Sequence, residues 1–294
     1  MSTLLTATRR LLVLRKRTTT DAVTLRHAIE SRGDAAEPTP LVKRVAHVTQ
    51  RTVAGRRVIR LTPRRSPSGT HLIYMHGGCY VFPIGAAQWG ILARLVARSG
   101  VSIDVPLYGL APEYTVSDAL PFLEEVFDQA TTEFGAAVHL GGDSAGGGLA
   151  LAQAQQYRDR GGIQPASIVL ISPWVEATMT NPGVDALAPL DHMLAPRGLA
   201  EAGRMWAGEL APTDPLVSPL LGDLASLPPV HIQQGDHDVL FADAEELARR
   251  IARAGGHVDL HVVHGGFHDF PGAPWVPEAR TALDEMASVL REPR

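Results

Sequence analysis

Five residues, Gly142-Asp143-Ser144-Ala145-Gly146, restrict this chain to a small set of folds. They follow an apolar run, Ala136-Ala137-Val138-His139-Leu140, and precede a helix-compatible stretch, Leu149-Ala150-Leu151-Ala152-Gln153-Ala154. The pattern G-x-S-x-G between a strand and a helix sets small residues on either side of the serine. The backbone can then turn tightly and expose the serine oxygen. Ser144 is therefore a candidate nucleophile.

The rest of the chain repeats the strand–helix alternation. His71–Met75, Val101–Leu107, Ala166–Ile171, Val230–Gln234 and Val258–Val263 read as further short apolar strands. Ala86–Arg98, Asp118–Phe134, Ala242–Ala254 and Pro277–Leu290 read as helices. Short apolar strands separated by helices predict a mostly parallel sheet covered on both faces, an α/β fold. Residues 42–62 alternate through Val45, His47, Val53, Val58, Ile59 and Leu61, which predicts a hairpin that opens the sheet. Residues 1–35 read as helical and arginine-rich, with breakers following at Pro38-Thr39-Pro40. Residues 175–215 carry Met179, Met193, Met205, Trp206 and several prolines without strand periodicity. A long insertion at the end of the sheet where the catalytic loops lie reads as a lid.

A chain of 294 residues with 45% hydrophobic content can bury one large α/β domain. The formal net charge of −4 excludes a globally basic nucleic-acid binder. Charge is unevenly spread, however. Residues 1–70 hold 15 Lys and Arg against 4 Asp and Glu, and the remainder holds 12 against 27. The basic segment is expected to dock on the acidic body or stay solvated. The run Leu11-Leu12-Val13-Leu14 is too short for a signal-peptide core or a membrane span, so no stable membrane insertion is expected. The single cysteine, Cys79, allows neither an internal disulfide nor a cysteine zinc site, and it fits a reducing cytoplasm.

A serine hydroxyl is a poor nucleophile until a base removes its proton, and the base needs an acidic partner to orient it. Downstream of Ser144, the strand Val230–Gln234 runs into Gly235-Asp236-His237-Asp238-Val239-Leu240, so Asp236, Asp238 and Asp243 are all candidates. The last strand runs into His264-Gly265-Gly266-Phe267-His268-Asp269-Phe270. His264 ends the strand, whereas His268 lies on a loop with freedom to reach the serine, so position favours His268. The negative charge that develops on an attacked carbonyl needs preorganised N–H donors. The strand His71–Met75 runs into His76-Gly77-Gly78-Cys79-Tyr80, where glycines let the backbone approach a substrate. Gly77 and Gly78, with the amide of Ala145, are the expected oxyanion donors.

Four ordered segments carry a resemblance. They are His76-Gly77-Gly78-Cys79-Tyr80, Tyr108-Gly109-Leu110-Ala111-Pro112-Glu113, Gly142-Asp143-Ser144-Ala145-Gly146-Gly147 and Asp238-Val239-Leu240. Together they resemble the hormone-sensitive-lipase-like bacterial esterases of the α/β-hydrolases over roughly residues 70–270. The resemblance implies an α/β-hydrolase fold with a mostly parallel central sheet and a helical cap. It implies cap helices at 1–40, a core in two parts at 41–174 and 216–294, and a cap insertion at 175–215. It implies carboxylic-ester hydrolysis through an acyl-enzyme, with no metal or organic cofactor. It picks Asp238 among the three aspartates, and His268 through the His-x-Phe element completed by Phe270. His76 shapes the oxyanion turn in this reading. Three residues depart from the family pattern: Cys79 replaces a glycine, Gly109 an arginine and Glu176 an aspartate. The expected substrate is a small-molecule acyl ester of short to medium chain, with a lactone or an acetylated small molecule as the alternative. A non-catalytic receptor on this fold commonly lacks the histidine, which this chain keeps. Cys79, Tyr80, Met205, Trp206 and Phe267 are the candidate pocket walls, and the family's habit of pairing sheet edges suggests a homodimer.

Overall fold

The computed structural model describes residues 1–14 and 17–291. Arg15 and Lys16 of the basic segment, and residues 292–294 of the expected core, lie outside the described residues. Eight strands form one sheet: β1 (Ala46–Val53), β2 (Arg56–Pro63), β3 (His71–Met75), β4 (Ser102–Pro106), β5 (Val138–Asp143), β6 (Ile168–Ile171), β7 (Val230–Gly235) and β8 (Val258–Val263). Their spatial order is β1-β2-β4-β3-β5-β6-β7-β8. β1 and β2 form the expected hairpin, and β2 also pairs antiparallel with β4. Every other pairing is parallel. Ala54 and Gly55, with φ of 44° and 76°, make the tight hairpin turn.

Ten helices accompany the sheet among the described residues: α1 (Thr3–Leu12), α2 (Ala22–Glu30), α3 (Pro40–Val45), α4 (Ala86–Ser99), α5 (Val116–Phe134), α6 (Ala145–Asp159), α7 (Val184–Leu187), α8 (Pro196–Ala207), α9 (Phe241–Arg253) and α10 (Pro277–Val289). The expected helical N-terminus is thus two separate helices, and α3 is an addition that the breakers around Pro40 concealed. The strand pleat divides the core. Leu72 and Tyr74 of β3 point into the cluster with Trp89 of α4 and Met286 of α10, while Ile73 and Met75 point into the cluster with Leu123 of α5 and Leu149 of α6. Burial on both faces explains why β3, β5 and β6 read as continuous apolar runs.

This topology locates the site. The chain leaves β3 toward β4 on one side and returns to β5 on the other, with α4 and α6 covering opposite faces. A crevice opens at the strand C-termini where such an order reverses. The glycine turn after β3 and Ser144 after β5 both stand there.

A helical cap lies over this end. Within residues 175–215 the structure holds α7 and α8. α8 packs on α2: Arg26 pairs with Glu201 at 2.7 Å, and Gly198 N–H donates to the carbonyl of Thr19 at 3.0 Å. α1 docks on the other side, where Ser2 Oγ donates to Glu278 of α10 at 2.7 Å and Arg9 reaches the carbonyl of Gly265.

Several arginines of the basic N-terminal segment are tied to acids of the body. Arg32 pairs with Glu113, and Arg60 with Glu133. Arg51 and Arg60 both grip the fully buried Asp104, at 2.6 and 2.8 Å. Burial alone raises the pKa of Asp104, but the bonds from Arg60 and Arg51, with His71 beside them, outweigh it and hold the carboxyl well below the usual range. A depressed folded-state pKa gives stability that is full above about pH 4 and is lost as the pH falls further. Asp104→Asn should therefore lower unfolding stability by about 3–5 kcal/mol at neutral pH. Urea denaturation should show this deficit shrinking as the pH is brought below about 4.

Candidate active site

Ser144 sits at the turn from β5 into α6 with φ of 51° and ψ of −120°. That strained backbone is stabilised from both directions: its N–H donates to Ile171 and its carbonyl accepts from Trp174, at 2.8 and 2.9 Å. Glycines make the turn possible. A Cβ at Gly142 or Gly146 would collide with the backbone of Met75, so β3 and the α6 start touch with no side chain between them.

The structure separates the three candidate aspartates. Asp236 accepts from His237 and His264, and His264 is exposed. Asp243 is buried and takes Asn181 Nδ2 at 2.8 Å. Asp238 alone faces His268: its Oδ2 lies 2.9 Å from His268 Nδ1. Gln234 Nε2 and the amide of Leu240 occupy the rest of the Asp238 carboxylate, each at 2.9 Å. A carboxylate only accepts, so Nδ1 is the donor in this contact.

Two further acids that sequence reasoning missed crowd this pair. Asp191, from the insertion, accepts the amide of Val239 at 2.9 Å and so braces the Asp238 turn from above. Burial and the nearby Asp238 push its pKa up. Asp269 brings Oδ2 to 3.2 Å from His268 Nε2. Burial opposes a charge on His268, yet Asp269 and Asp238 together more than reverse it and raise its pKa well above the ordinary histidine value. Asp191 lies in a segment without strand or motif pattern, and Asp269 sits in a motif as its unspecified middle residue. Neither carried a signal.

The oxyanion turn departs from expectation at one position. Gly77 N–H donates to Asp143 Oδ1 at 3.0 Å and is therefore not free to meet a substrate oxygen. Among the described residues, no acceptor takes the amides of Gly78, Cys79 or Ala145. Gly78 has φ of 120°, and a Cβ there would strike the carbonyl of Phe82. Cys79 and Tyr80 also hold positive φ, 55° and 62°, completing a tight coil of backbone. His76 is buried, its Nδ1 lies 2.7 Å from the carbonyl of Gly77, and its ring stacks on Tyr108 at 4.5 Å. Burial lowers its pKa, so it remains a neutral structural ring.

Asp143 ties the turn to the elbow. Tyr74 Oη and Gln88 Nε2 donate to it at 2.8 and 2.9 Å, alongside the Gly77 amide. Burial and the neighbouring Asp269 push its pKa up to about 6, although those three bonds pull the other way.

A cavity of about 390 Å³ opens over the site and is lined by Gly78, Asp143, Phe267, His268 and Asp269. Thr8 and Leu12 of α1, Ile91, Met193 and Trp275 complete its apolar wall. Of the expected wall residues, Phe267 lines it. Tyr80 and Trp206 lie behind it, stacked at 4.3 Å and fully buried, Cys79 is buried, and Met205 is half-buried on α8. The other two departures have structural answers. Arg56 and the Tyr114 ring fill the space beside Gly109, stacked at 4.1 Å. Glu176 accepts from the amides of Thr178 and Thr180, at 2.7 and 3.0 Å, and closes its own turn.

A strained serine, a histidine–aspartate pair and free amides at one sheet end define a serine hydrolase. Residues 72–272 match the family model described as alpha/beta hydrolase fold. LipR of Mycobacterium tuberculosis is 32% identical over 251 residues, 82% of this chain and 79% of LipR. An acetyl-hydrolase of Streptomyces hygroscopicus is 30% identical over 269 residues, 90% of this chain and 86% of that protein. The crystal structure of an esterase from the bacterial hormone-sensitive lipase family superposes with a TM-score of 0.82 at 26% identity, covering 100% of this chain and 99% of that one. The chain belongs to the α/β-hydrolase fold family, as a serine-hydrolase-type esterase close to the bacterial hormone-sensitive-lipase branch. No helix among the described residues is long and apolar enough to cross a membrane.

The thiol of Cys79 is buried, and that burial pushes its pKa up to about 12. A thiolate is the reactive form, so Cys79 should resist a disulfide reagent such as DTNB at pH 8 in the native protein. One thiol equivalent should appear on unfolding in guanidinium; rapid native labelling would contradict the burial.

Proposed function

We propose that this chain hydrolyses short- to medium-chain acyl esters through an acyl-enzyme, with Ser144 as nucleophile, His268 as base and Asp238 as its orienting partner. The observation that carries this reading is the convergence of the strained Ser144, the His268–Asp238 bond of 2.9 Å and the unengaged amides of Gly78, Cys79 and Ala145. Ser144 Oγ attacks the acyl carbonyl as His268 Nε2 takes its proton, and Asp238 stabilises the resulting imidazolium. The three amides meet the oxyanion, each worth about 3–4 kcal/mol where such donors have been removed elsewhere. His268 then gives its proton to the departing alkoxide. Water, deprotonated by the same ring, attacks the acyl-enzyme and releases the acid.

In this reading the cap comprises residues 1–40 and 175–215, over a core formed by 41–174 and 216–294. The packing of α2 on α8 supports that division. A cavity of about 390 Å³ walled on one side by Thr8 and Leu12 of α1 supports a small or medium acyl group over a long lipid chain. Similarity to an acetyl-hydrolase favours an acetylated small molecule as the second reading. A cytoplasmic location is consistent with a single buried thiol, and a homodimer would pair the free β8 edge, where Val262 is exposed.

Hydrolysis of p-nitrophenyl esters from acetate to palmitate should peak at the short end. Ser144→Ala should lose at least about a thousandfold in kcat. A folded wild-type enzyme that hydrolyses none of the series would overturn the reading.

A further inference from the structure

Asp269 has no part in the reaction as derived above, yet it touches the atom on which that reaction turns. Its Oδ2 lies 3.2 Å from His268 Nε2, while Nδ1 of the same ring faces Asp238 Oδ2 at 2.9 Å. Both ring nitrogens therefore face acidic oxygens. A neutral imidazole has one N–H and one lone pair, so it can donate to only one of them; an imidazolium donates to both. General-base catalysis requires the Nε2 lone pair to point at the serine. Among the described residues, Ser144 Oγ has no hydrogen-bond partner.

The contact is built into the backbone. Asp269 holds φ of 52° and ψ of 35°, a left-handed conformation that Asp and Asn tolerate better than most residues. Its N–H donates to Ser172 Oγ at 3.1 Å, and its carbonyl accepts from Gly272 at 2.9 Å. Its other carboxylate oxygen, Oδ1, is buried without a hydrogen-bond partner among the described residues, so nothing draws the side chain away from His268.

We propose that Asp269 is a positioning residue of this esterase: it competes with Ser144 for His268 Nε2 and keeps a proton on that nitrogen until the proton is shed to solvent. The step balances simply. The N–H bond at Nε2 breaks, water or hydroxide takes the proton, and the freed lone pair becomes available to accept the Ser144 proton. This inference rests on the Ser144–His268–Asp238 reading. The groups facing the cluster do not oppose it. They are Asp238 from the turn after β7, Asp191 from the insertion, Asp143 and Tyr74 from β5 and β3, and Cys79 from the glycine turn. None of these is a cation, so none disfavours a charged ring.

The pH dependence of kcat/KM tests it, because its acidic limb reports loss of a proton from the free enzyme's base. In the wild type that limb should lie above the ordinary histidine value of about 6.5. Asp269→Asn, which keeps the left-handed backbone, should move it down by about one pH unit or more. Well below both limbs, the variant should then be faster by about tenfold. Should the Asn variant not fold, Asp269→Gly meets the same backbone requirement and carries the test. Asp143 titrates in the same region, so the shift is also measured in an Asp143→Asn background, where it should persist. An unmoved limb with kcat lowered at every pH would show a merely structural role and overturn the proposal, as would a shift that vanishes in the Asp143→Asn background. Labelling of Ser144 by a fluorophosphonate separates the two readings. Labelling in both proteins with an unmoved limb sinks only the role of Asp269; no labelling at any pH sinks the esterase reading itself.

Discussion

The contact between the end of β3 and the start of α6 is the constraint on which the rest of the site depends. A Cβ at Gly142 or Gly146 would overlap the backbone of Met75, and one at Gly77 would overlap the Asp143 carboxylate. Main chain meets main chain there, so the nucleophile and the oxyanion turn form one packed unit. Asp143 fastens it, with Tyr74 of β3, Gln88 of α4 and the Gly77 amide all donating to one carboxylate. Because Gly77 is committed to that clasp, the unengaged amides of the turn are those of Gly78 and Cys79. The cysteine departure then has a simple explanation. The small side chain of Cys79 is buried at positive φ, and its amide is left without an acceptor among the described residues.

Around this unit the electrostatics are unusually one-sided. Asp191, Asp238 and Asp269 crowd one imidazole within a largely buried space, and Asp143 neighbours Asp269. Like charges in low dielectric cannot all ionise without cost, and burial pushes the pKa values of Asp143 and Asp191 up accordingly. The histidine is the group that relieves this strain by taking a proton. A cluster that stabilises imidazolium helps the second half of each acyl-transfer step, when His268 must hold the serine or water proton. The same field works against the first half, when the ring must be neutral. The balance between those two demands is set by which carboxylates lie at Nδ1 and which at Nε2.

Much of this was legible in the sequence because local rules and global fold agree. The elbow at Gly142–Gly146 carries its own backbone requirement, and β3, β5 and β8 are short apolar segments bounded by glycine or polar turns. Chain order alone put an aspartate and a histidine after Ser144. Choosing among Asp236, Asp238 and Asp243 from the residues alone was beyond it, because all three cluster at one strand end; the choice is made in space, by which one faces His268. The commitment of the Gly77 amide was equally hidden, since it depends on a carboxylate from another strand. Asp191 and Asp269 act through contacts that no periodicity encodes. The pocket wall was misplaced for a related reason. Tyr80 and Trp206 are large apolar residues near the site, but they bury each other, and the open cavity is instead bounded by Thr8, Leu12 and Trp275 from the two ends of the chain.

That last displacement ties the basic N-terminal segment to catalysis. Arginines in β1 and β2 hold the hairpin onto the sheet through Asp104, a wholly structural use of charge. Those nearer the N-terminus hold helices over the active site instead: Arg26 fixes α2 to α8, and Arg9 reaches the carbonyl of Gly265, three residues before His268. α1 therefore supplies one wall of the cavity while bonding to the loop that carries the base. Leu12 of α1 and His268 and Asp269 of that loop line the same cavity. The segment from Gly265 to Asp269 thus both receives Arg9 of α1 and carries the ring, so one short stretch of chain joins the cavity wall to the histidine–aspartate pair.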